Sequence, residues 1–298
     1  MDYLDHIRRC NSHDPASFRP FDIAGQQVGS LRADWLARLA AFPEVFEAAD
    51  DRLTLNASLA DPGRRTAAVR DLLARMHAAG DLPAPRGEDY AVVAAWGDPP
   101  LMRLDRAYVS AFGARAFGLH VNGFQRDGER IRLWIGKRAA DRQVEPGKLD
   151  NLVAGGQPAG LSLSANLLKE AREEADIPEA LAARARPVGA ITYCMEGKLG
   201  LKPDTWFLYD LELPADFRPR NTDGEIADFR LMELEEVAER LRSGFDFKFN
   251  VALVLIDFLI RHGHLTPENT PDYLDLVSGL RPRLTFPAGS GRTSPDDR

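Results

Sequence analysis

Three glutamates near the middle of the chain are spaced so that they share one face of a helix. Glu170, Glu173 and Glu174 fall within a wedge about 100° wide when they are placed on a helix of 3.6 residues per turn. Carboxylates grouped in this way suit a hard cation such as Mg²⁺, which is commonly held by a few carboxylates together with substrate phosphates. The same spacing is also typical of a solvated acidic face paired with Lys169 and Arg172, so the acids alone leave both interpretations open.

A glycine-bearing turn comes directly before this helix. Residues 149–153 predict a strand, Gly155 and Gly156 follow it, and a helix is predicted over 162–175 with Pro178 closing it. Because glycine has no side chain, it lets the backbone approach a phosphate-like ligand closely. The succession of strand, glycine turn and acidic helix favours a phosphate site over a plain surface helix.

The elements around this segment predict a mixed α/β fold. Residues 117–124 and 131–135 read as two strands of a hairpin that turns at Asp127 and Gly128. Alternating or buried apolar runs predict further strands over 188–193, 206–213 and 226–232, and helices over 235–241 and 251–261.

The chain before residue 113 has a different pattern. Apolar residues recur at helical spacing over 31–39 and 69–76, which predicts a helix-rich accessory region over residues 1–112. The main domain is expected over 113–285. A tail at 286–298, rich in Gly, Ser, Pro and Asp, is expected to be disordered.

Composition excludes several classes of protein. The 298 residues include 45 Asp and Glu against 38 Lys and Arg, and a net charge of -7 repels nucleic acid. The most apolar stretch, 251–260, is interrupted by Asp257 and is about half the length of a membrane span. With two distant cysteines and no secretory signal, the chain is expected to be cytoplasmic, with neither a nucleic-acid nor a membrane partner.

The glycine turn and acidic helix resemble the Nudix hydrolase superfamily, whose box reads G-x5-E-x7-R-E-U-x-E-E-x-G-U, where U is aliphatic. The alignment places Gly155 at the first glycine, the three helix glutamates at their box positions and Ile177 at the last aliphatic position. Three positions depart from the box: Leu161 replaces the loop glutamate, Lys169 replaces arginine and Asp176 replaces the second glycine.

A longer resemblance connects the chain to the Nudix subgroup related to domains fused to thiamine pyrophosphokinase. It rests on residues 148–156, 168–170, 173–175, 118–123, 223–226, 247–250 and 257–263, and the N-terminal region resembles the extension of that subgroup. In that subgroup the missing loop glutamate and the lysine are usual. The resemblance implies a Nudix α/β/α sandwich with a mixed sheet. It also implies Mg²⁺-dependent cleavage of a diphosphate, with Mn²⁺ as a substitute ion and thiamine diphosphate or its oxidised or damaged analogues as substrate.

This resemblance implies roles for individual residues. The metal ligands are expected to be Glu170, Glu173 and Glu174, and catalysis is assigned to Glu174, Glu173 and Glu225, the last following an Asp-Gly turn. The substrate is expected to contact polar, basic, aromatic and glycine residues, namely Asn122, Lys137, Arg138, Lys148, Gly155, Gly156, Lys169 and Trp206. Surface charge and core packing are the competing interpretations of these basic and aromatic side chains.

Two other functions stay open at this point. The same box could act on another phosphoanhydride, such as a nucleoside triphosphate, ADP-ribose or a coenzyme A compound, because flanking loops choose the substrate. Alternatively the chain could be a binding module without turnover, which Leu161 favours and the retained acids oppose. The expected partner is a small phosphorylated substrate, and both a monomer and a homodimer are open.

Overall fold

The computed structural model describes residues 1–49, 51–284 and 286. The helices are α1 Tyr3–Cys10, α2 Ala33–Leu39, α3 Pro62–Ala78, α4 Leu163–Ala175, α5 Glu179–Ala182, α6 Leu234–Ser243, α7 Phe249–Arg261 and α8 Tyr273–Gly279. The strands are β1 Phe18–Ile23, β2 Gln26–Arg32, β3 Phe46–Ala49, β4 Arg52–Leu55, β5 Asp89–Val92, β6 Met102–Asp105, β7 Ala116–Asp127, β8 Arg130–Arg138, β9 Leu149–Asp150, β10 Val153–Gly156, β11 Arg186–Glu196, β12 Leu201–Glu212 and β13 Ile226–Glu233.

The N-terminal region combines helices with strands. Its four-stranded sheet has the order β2-β1-β4-β3, and β5 and β6 form a separate antiparallel pair. The predicted helices are present as α2 and α3, but the expectation of a helix-rich region needs correction because it missed β1 to β6. β1 and β2 are buried in nearly continuous runs that do not alternate, and β3 to β6 have only four residues each, so period-two alternation is weak as a signal.

The main domain is built on a seven-stranded mixed sheet. Its strands run in the order β11-β12-β7-β8-β13, with β10 paired to β7 and β9 paired to β8. The neighbours β12 and β7 are parallel, whereas the other pairs are antiparallel. Helix α4 packs on one face, and α6 and α7 pack on the other, so the predicted α/β fold with helices on both sides of a mixed sheet is confirmed.

The local predictions in this domain hold because short-range signals specify them. The hairpin of β7 and β8 turns at Gly128, whose φ of 60° suits glycine. Ser162 caps helix α4 by accepting a hydrogen bond from the Ala165 amide at 3.1 Å. The helix ends at Asp176, two residues before the predicted stop at Pro178.

Helix α1 packs away from the rest of the N-terminal region. Tyr3, Ile7 and Cys10 lie in the core formed with α7 and the main sheet. Ala114 belongs to the N-terminal core, so that core reaches to the predicted boundary at residues 112 and 113. The predicted tail at 286–298 lies outside the described residues except for Phe286.

A buried polar chain ties α7 to the strands beside the glycine turn. Asp210 on β12 accepts hydrogen bonds from Arg261 at 2.5 and 2.9 Å and from the Asn122 amide at 3.0 Å. The side-chain oxygen of Asn122, Oδ1, accepts in turn a hydrogen bond of 2.9 Å from Nδ2 of Asn151, a residue that lies between β9 and β10. Arg261 also reaches Asp257, at 2.6 Å, so one guanidinium neutralises two buried carboxylates.

We predict that Arg261→Met lowers the free energy of unfolding by about 3 kcal/mol, because it leaves buried carboxylates short of a partner. Burial alone would raise the pKa of Asp210, but hydrogen bonds from His262 and Arg261 outweigh it and lower the pKa. The stabilisation is therefore complete above the unfolded pKa of about 3.9 and is lost as the pH falls through the lower folded value. Urea unfolding at about pH 7 and about pH 3 measures this dependence.

The matched control is Arg242→Met, because Arg242 is exposed and forms an ion pair with Glu239 on the surface at 2.9 Å. Its loss should change the free energy of unfolding by less than about 0.5 kcal/mol. Equal effects of the two substitutions at about pH 7 would contradict a structural role for the Arg261 cluster.

Candidate active site

The buried acid of helix α4 is fixed to the backbone of strand β10. Glu174 is only 7% exposed, and its Oε2 accepts a hydrogen bond from the Ala154 amide at 2.7 Å. This bond fixes the helix beside the strand that ends in the two glycines. The carboxylate is thus held against β10, directly before the two glycines where the sequence predicts a phosphate site.

Glycine at position 155 leaves the space that Glu170 occupies. A Cβ atom on Gly155 would lie 2.4 Å from Glu170 Cγ, a separation that real atoms do not tolerate. Glu170 and Glu174 therefore sit against successive residues of β10, and both carboxyl groups are mostly shielded from water. The backbone approaches the helix here because residue 155 has no side chain.

Glu173 lies on the outer side of the helix. Its side chain is 47% exposed, and its carboxylate is 3.2 Å from Lys169 Nζ. The same amine lies 3.0 Å from Glu170, so Lys169 links two of the three acids instead of standing free for a phosphate. The predicted wedge of three carboxylates therefore divides into two inner acids and one outer acid.

The two inner acids are poorly neutralised. Burial raises the pKa of Glu174 well above its ordinary value, the Ala154 amide opposes this rise, and the charge of Glu170 adds to it. Burial also raises the pKa of Glu170, against the lowering effect of Lys169. A cation placed between these carboxylates would relieve both burial and repulsion.

A divalent cation is compatible with the donor set, although the predicted three-carboxylate site is not assembled. Within the part of the chain that the structure describes, no three His, Cys, Asp or Glu side chains are grouped closely enough to hold a metal. The reason is local, since Lys169 holds Glu173 outward. Glu170 and Glu174 supply the hard oxygen donors that Mg²⁺ prefers, and this ion keeps several waters when few carboxylates bind it.

Glu225 lies in the turn directly before β13 and is close enough to Glu174 to affect it electrostatically. Its charge contributes to the raised pKa of Glu174. Its own carboxylate lies 2.7 Å from Arg142, and its backbone carbonyl accepts from the Ala139 amide at 2.9 Å. The predicted Asp-Gly turn is present, with the Glu225 amide donating to Asp223 at 2.8 Å.

Near Glu174, the buried carboxylate of Asp150 is paired with two cations, Arg138 and Lys248. Burial alone would raise the pKa of Asp150, but the charges of Lys248 and Arg138 outweigh it and lower the pKa. Arg138 Nη1 donates to Asp150 at 2.7 Å, and Lys248 Nζ lies 3.5 Å from the same carboxylate. Arg138 is only 8% exposed, so its guanidinium is committed to Asp150.

Comparison with known proteins decides the family. Residues 2–116 match a family described as Domain of unknown function (DUF4743). Nudix hydrolase 20, chloroplastic, of Arabidopsis thaliana is 41% identical over 293 residues, which cover 94% of this chain and 78% of the relative. Nudix hydrolase 24, chloroplastic, of the same plant is 41% identical over 284 residues, covering 94% and 77%. The chain belongs to the Nudix hydrolase family.

The Nudix relatives confirm a hydrolase acting on phosphoanhydrides. Nudix hydrolases generally use divalent metals such as Mg²⁺. Among solved structures, the Deinococcus radiodurans protein DR0079 aligns with a TM-score of 0.42 and 21% identity, over 56% of this chain and 96% of that one.

The predicted cytoplasmic location is wrong. Both plant relatives carry a chloroplastic location in their names, which points away from the cytoplasm. Over the residues that the structure covers, every helix is too short or too polar to cross a membrane.

The structure also explains why aspartate can replace the second glycine of the Nudix box. Asp176 occupies that position in the left-handed conformation, with a φ of 52°. This conformation favours glycine, and aspartate is among the residues that tolerate it best. Its carboxylate forms an ion pair with Arg220, so the departure at this position keeps the helix ending intact.

Several predicted substrate contacts are placed elsewhere by the structure. Asn122 is fully buried, and both polar atoms of its side chain are bonded, one to Asp210 and the other to Asn151. Arg138 is likewise buried against Asp150, as described above. In both cases a distant buried carboxylate captures the polar side chain, a partner that sequence spacing does not reveal.

The remaining predicted contacts have mixed positions. Trp206 is half-buried, donates to the Tyr193 hydroxyl at 2.9 Å and packs beside Gly118. Lys148 donates to the Phe245 carbonyl, whereas Lys137 is exposed on β8. Lys137 therefore remains open to solvent.

Sequence reasoning missed a contribution from the N-terminal region. The Tyr90 hydroxyl lies so close to Gly156 that a Cβ there would be 1.5 Å from it. Burial raises the pKa of this hydroxyl to about 12, so it stays protonated. Beside it, Arg106 pairs with Glu88 at 2.6 Å, and the Glu88 charge helps to raise the pKa of Glu170. No motif marks these residues, because β5 and β6 are only four residues each.

We predict that Gly155→Ala lowers the free energy of unfolding by about 1–3 kcal/mol, because the added methyl overlaps Glu170. Turnover should fall by about tenfold or more, since Glu170 is displaced. The control is Gly244→Ala, whose Cβ would meet Asp246 at an ordinary 3.5 Å. Urea unfolding and initial rates compare them, and indistinguishable stabilities would contradict the proposed close packing.

We also predict that Glu174→Gln raises the melting temperature when no divalent metal is present. Because burial raises the folded pKa of this carboxyl, wild type is most favoured below the unfolded pKa of about 4.3 and loses stability as the pH rises toward the folded value. The glutamine variant has no proton to lose, so its stability does not fall in this way. Its advantage over wild type should therefore grow between about pH 4 and pH 7, which thermal unfolding across that range measures.

The matched control for this experiment is Glu173→Gln, because Glu173 is exposed and should give no such gain. Added Mg²⁺ should raise the melting temperature of wild type and of the control more than that of Glu174→Gln. Equal Mg²⁺ responses in all three proteins would remove Glu174 from the metal site.

Proposed function

We propose that this Nudix hydrolase cleaves a diphosphate with Mg²⁺, or with Mn²⁺ in its place, held by Glu170 and Glu174. The observation that carries the proposal is the placement of these two shielded carboxylates against Gly155 and Ala154 of β10. Glu173 is not among the proposed ligands, because its carboxylate lies on the outer side of helix α4 against Lys169. The substrate class is thiamine diphosphate or its oxidised or damaged analogues, which the resemblance to the thiamine-related subgroup supports.

The proposed reaction converts the diphosphate to the monophosphate and inorganic phosphate. Water attacks one phosphorus, the bond from that phosphorus to the bridging oxygen breaks, and the bridging oxygen leaves with the other phosphate. A cation held by Glu170 and Glu174 would neutralise charge on the leaving phosphate. Glu225 is the proposed acceptor of the proton lost by water, and Arg142 orients its carboxylate through their 2.7 Å contact.

The test is Mg²⁺-dependent product formation from thiamine diphosphate, its oxo analogue, ADP-ribose and nucleoside triphosphates. Wild type should prefer the thiamine compounds, and Glu174→Gln should reduce turnover by a factor on the order of a hundred or more. The matched control is Glu235→Gln, which removes an exposed acid on α6 and should leave the rate unchanged.

Each other outcome overturns a defined part of the proposal. Preference for another phosphoanhydride would retain the site and replace the substrate. Binding without turnover of any of these compounds would indicate a non-catalytic module. Full activity in Glu174→Gln would contradict the assignment of this residue.

A further inference from the structure

A cleft of about 260 Å³ lies between strand β5 and the loop that follows β10. Tyr90 and Trp96 line it from the N-terminal region, Phe117 from the start of β7, and Gln157 and Leu161 from the glycine loop. We call this the aromatic cleft. Its volume lies near the lower end of small-molecule pockets, about 300 Å³, and so suits one ring system.

Trp96 is unusual among the tryptophans because half of its surface is open to solvent. It is 50% exposed, whereas Trp35 and Trp134 are buried. Its ring centroid lies 4.8 Å from that of Phe117 and 4.6 Å from that of Phe207, so the indole is fixed on an aromatic base. A large aromatic side chain that is both exposed and held in place indicates a binding surface more strongly than a scattered exposed apolar residue does.

The loop that carries Trp96 is itself closed by paired hydrogen bonds. The Ala95 amide donates to the Asp98 carboxylate at 3.0 Å, and the Asp98 amide donates to the Ala95 carbonyl at 3.3 Å. These bonds hold the exposed ring in position before any ligand arrives. Stacking on a pre-positioned ring loses less conformational entropy than ordering a mobile one.

The aromatic cleft adjoins the two inner acids through the glycines. Tyr90 lines the cleft, and its hydroxyl rests against Gly156. The next residue back along the strand is Gly155, which abuts Glu170. Since consecutive Cα atoms are about 3.8 Å apart, a diphosphate bound at the acids would reach the cleft with its organic group.

Leucine at position 161, where the Nudix box has glutamate, gives the aromatic cleft an apolar lining. Leu161 is 41% exposed and lines the aromatic cleft. Its backbone carbonyl accepts a hydrogen bond of 2.8 Å from the side-chain amide of Gln157. A glutamate at this position would place a carboxylate beside the rings of Trp96 and Phe117. Leucine instead gives the cleft an apolar wall, which an aromatic ring prefers.

The N-terminal region is joined directly to this loop. The Ala159 amide donates to the Asp89 carbonyl of β5 at 2.8 Å, so the two walls of the cleft share a backbone hydrogen bond. We propose that the aromatic cleft binds an aromatic heterocyclic ring of the substrate, and that the N-terminal region therefore determines substrate specificity. This inference rests on the proposed diphosphate hydrolysis for the position of the phosphates.

The first experiment measures binding without turnover. Thiamine monophosphate and AMP serve as aromatic probes, glycerol phosphate serves as the non-aromatic probe, and calorimetry gives each Kd with wild type, Trp96→Ala and Leu274→Ala. At least one aromatic probe should bind wild type and lose about tenfold or more in Trp96→Ala, as loss of stacking requires. Glycerol phosphate should be unaffected by Trp96→Ala. Leu274 is 80% exposed on α8, so Leu274→Ala controls for truncation of a surface apolar side chain.

Leu161→Glu provides a second variant that does not disturb a packed aromatic cluster. It should weaken binding of the aromatic probe by about tenfold, because the probe would have to displace water from a new carboxylate. Unchanged binding in both Trp96→Ala and Leu161→Glu would overturn the inference, as would failure of wild type to bind either aromatic probe.

Steady-state kinetics separate this inference from the proposed function. If thiamine diphosphate is hydrolysed, Trp96→Ala should raise KM by about tenfold and leave kcat within about twofold. Hydrolysis with an unchanged KM would overturn the aromatic cleft and keep the diphosphate hydrolase. Trp96-dependent binding of aromatic monophosphates without any diphosphate hydrolysis would keep the cleft and overturn the hydrolase.

Discussion

The close approach of helix α4 to strand β10 is the constraint on which the site depends. Gly155 has no side chain, so Glu170 can lie directly over the strand, and the Ala154 amide fixes Glu174 one residue earlier. A strand with larger residues here would push the helix outward and separate the acids from the loop. The buried chain from Arg261 through Asp210 to Asn122 holds the strands from the other side.

The parts of the site that sequence predicts are those with local causes. Helical spacing and the glycine pair are contained within a short segment, and the structure places the helix and the glycine turn together as expected. The orientation of Glu173 depends on Lys169, and the commitment of Arg138 depends on Asp150. Periodicity places residues on a face, but it does not show which neutralising partner captures them.

The N-terminal region shows what sequence patterns do not predict. Its two amphipathic helices are visible as apolar periodicity, whereas its strands are either buried without alternation, as β1 and β2 are, or only four residues long, as β3 to β6 are. The contribution of Tyr90 depends on contact with Gly156, which is far away in the sequence. A pattern confined to one segment does not predict a contact that only the assembled chain creates.

The charges around the inner acids are the physical basis of the proposed cation site. Asp150 is matched by Arg138 and Lys248, and Glu225 is matched by Arg142. Glu174, by contrast, is held by a neutral amide, and the nearby Lys169 is shared between Glu170 and Glu173. Neutral hydrogen bonds offset only part of the cost of burying a carboxylate, so the positive charge still lacking at these two acids is the charge that a bound cation would supply.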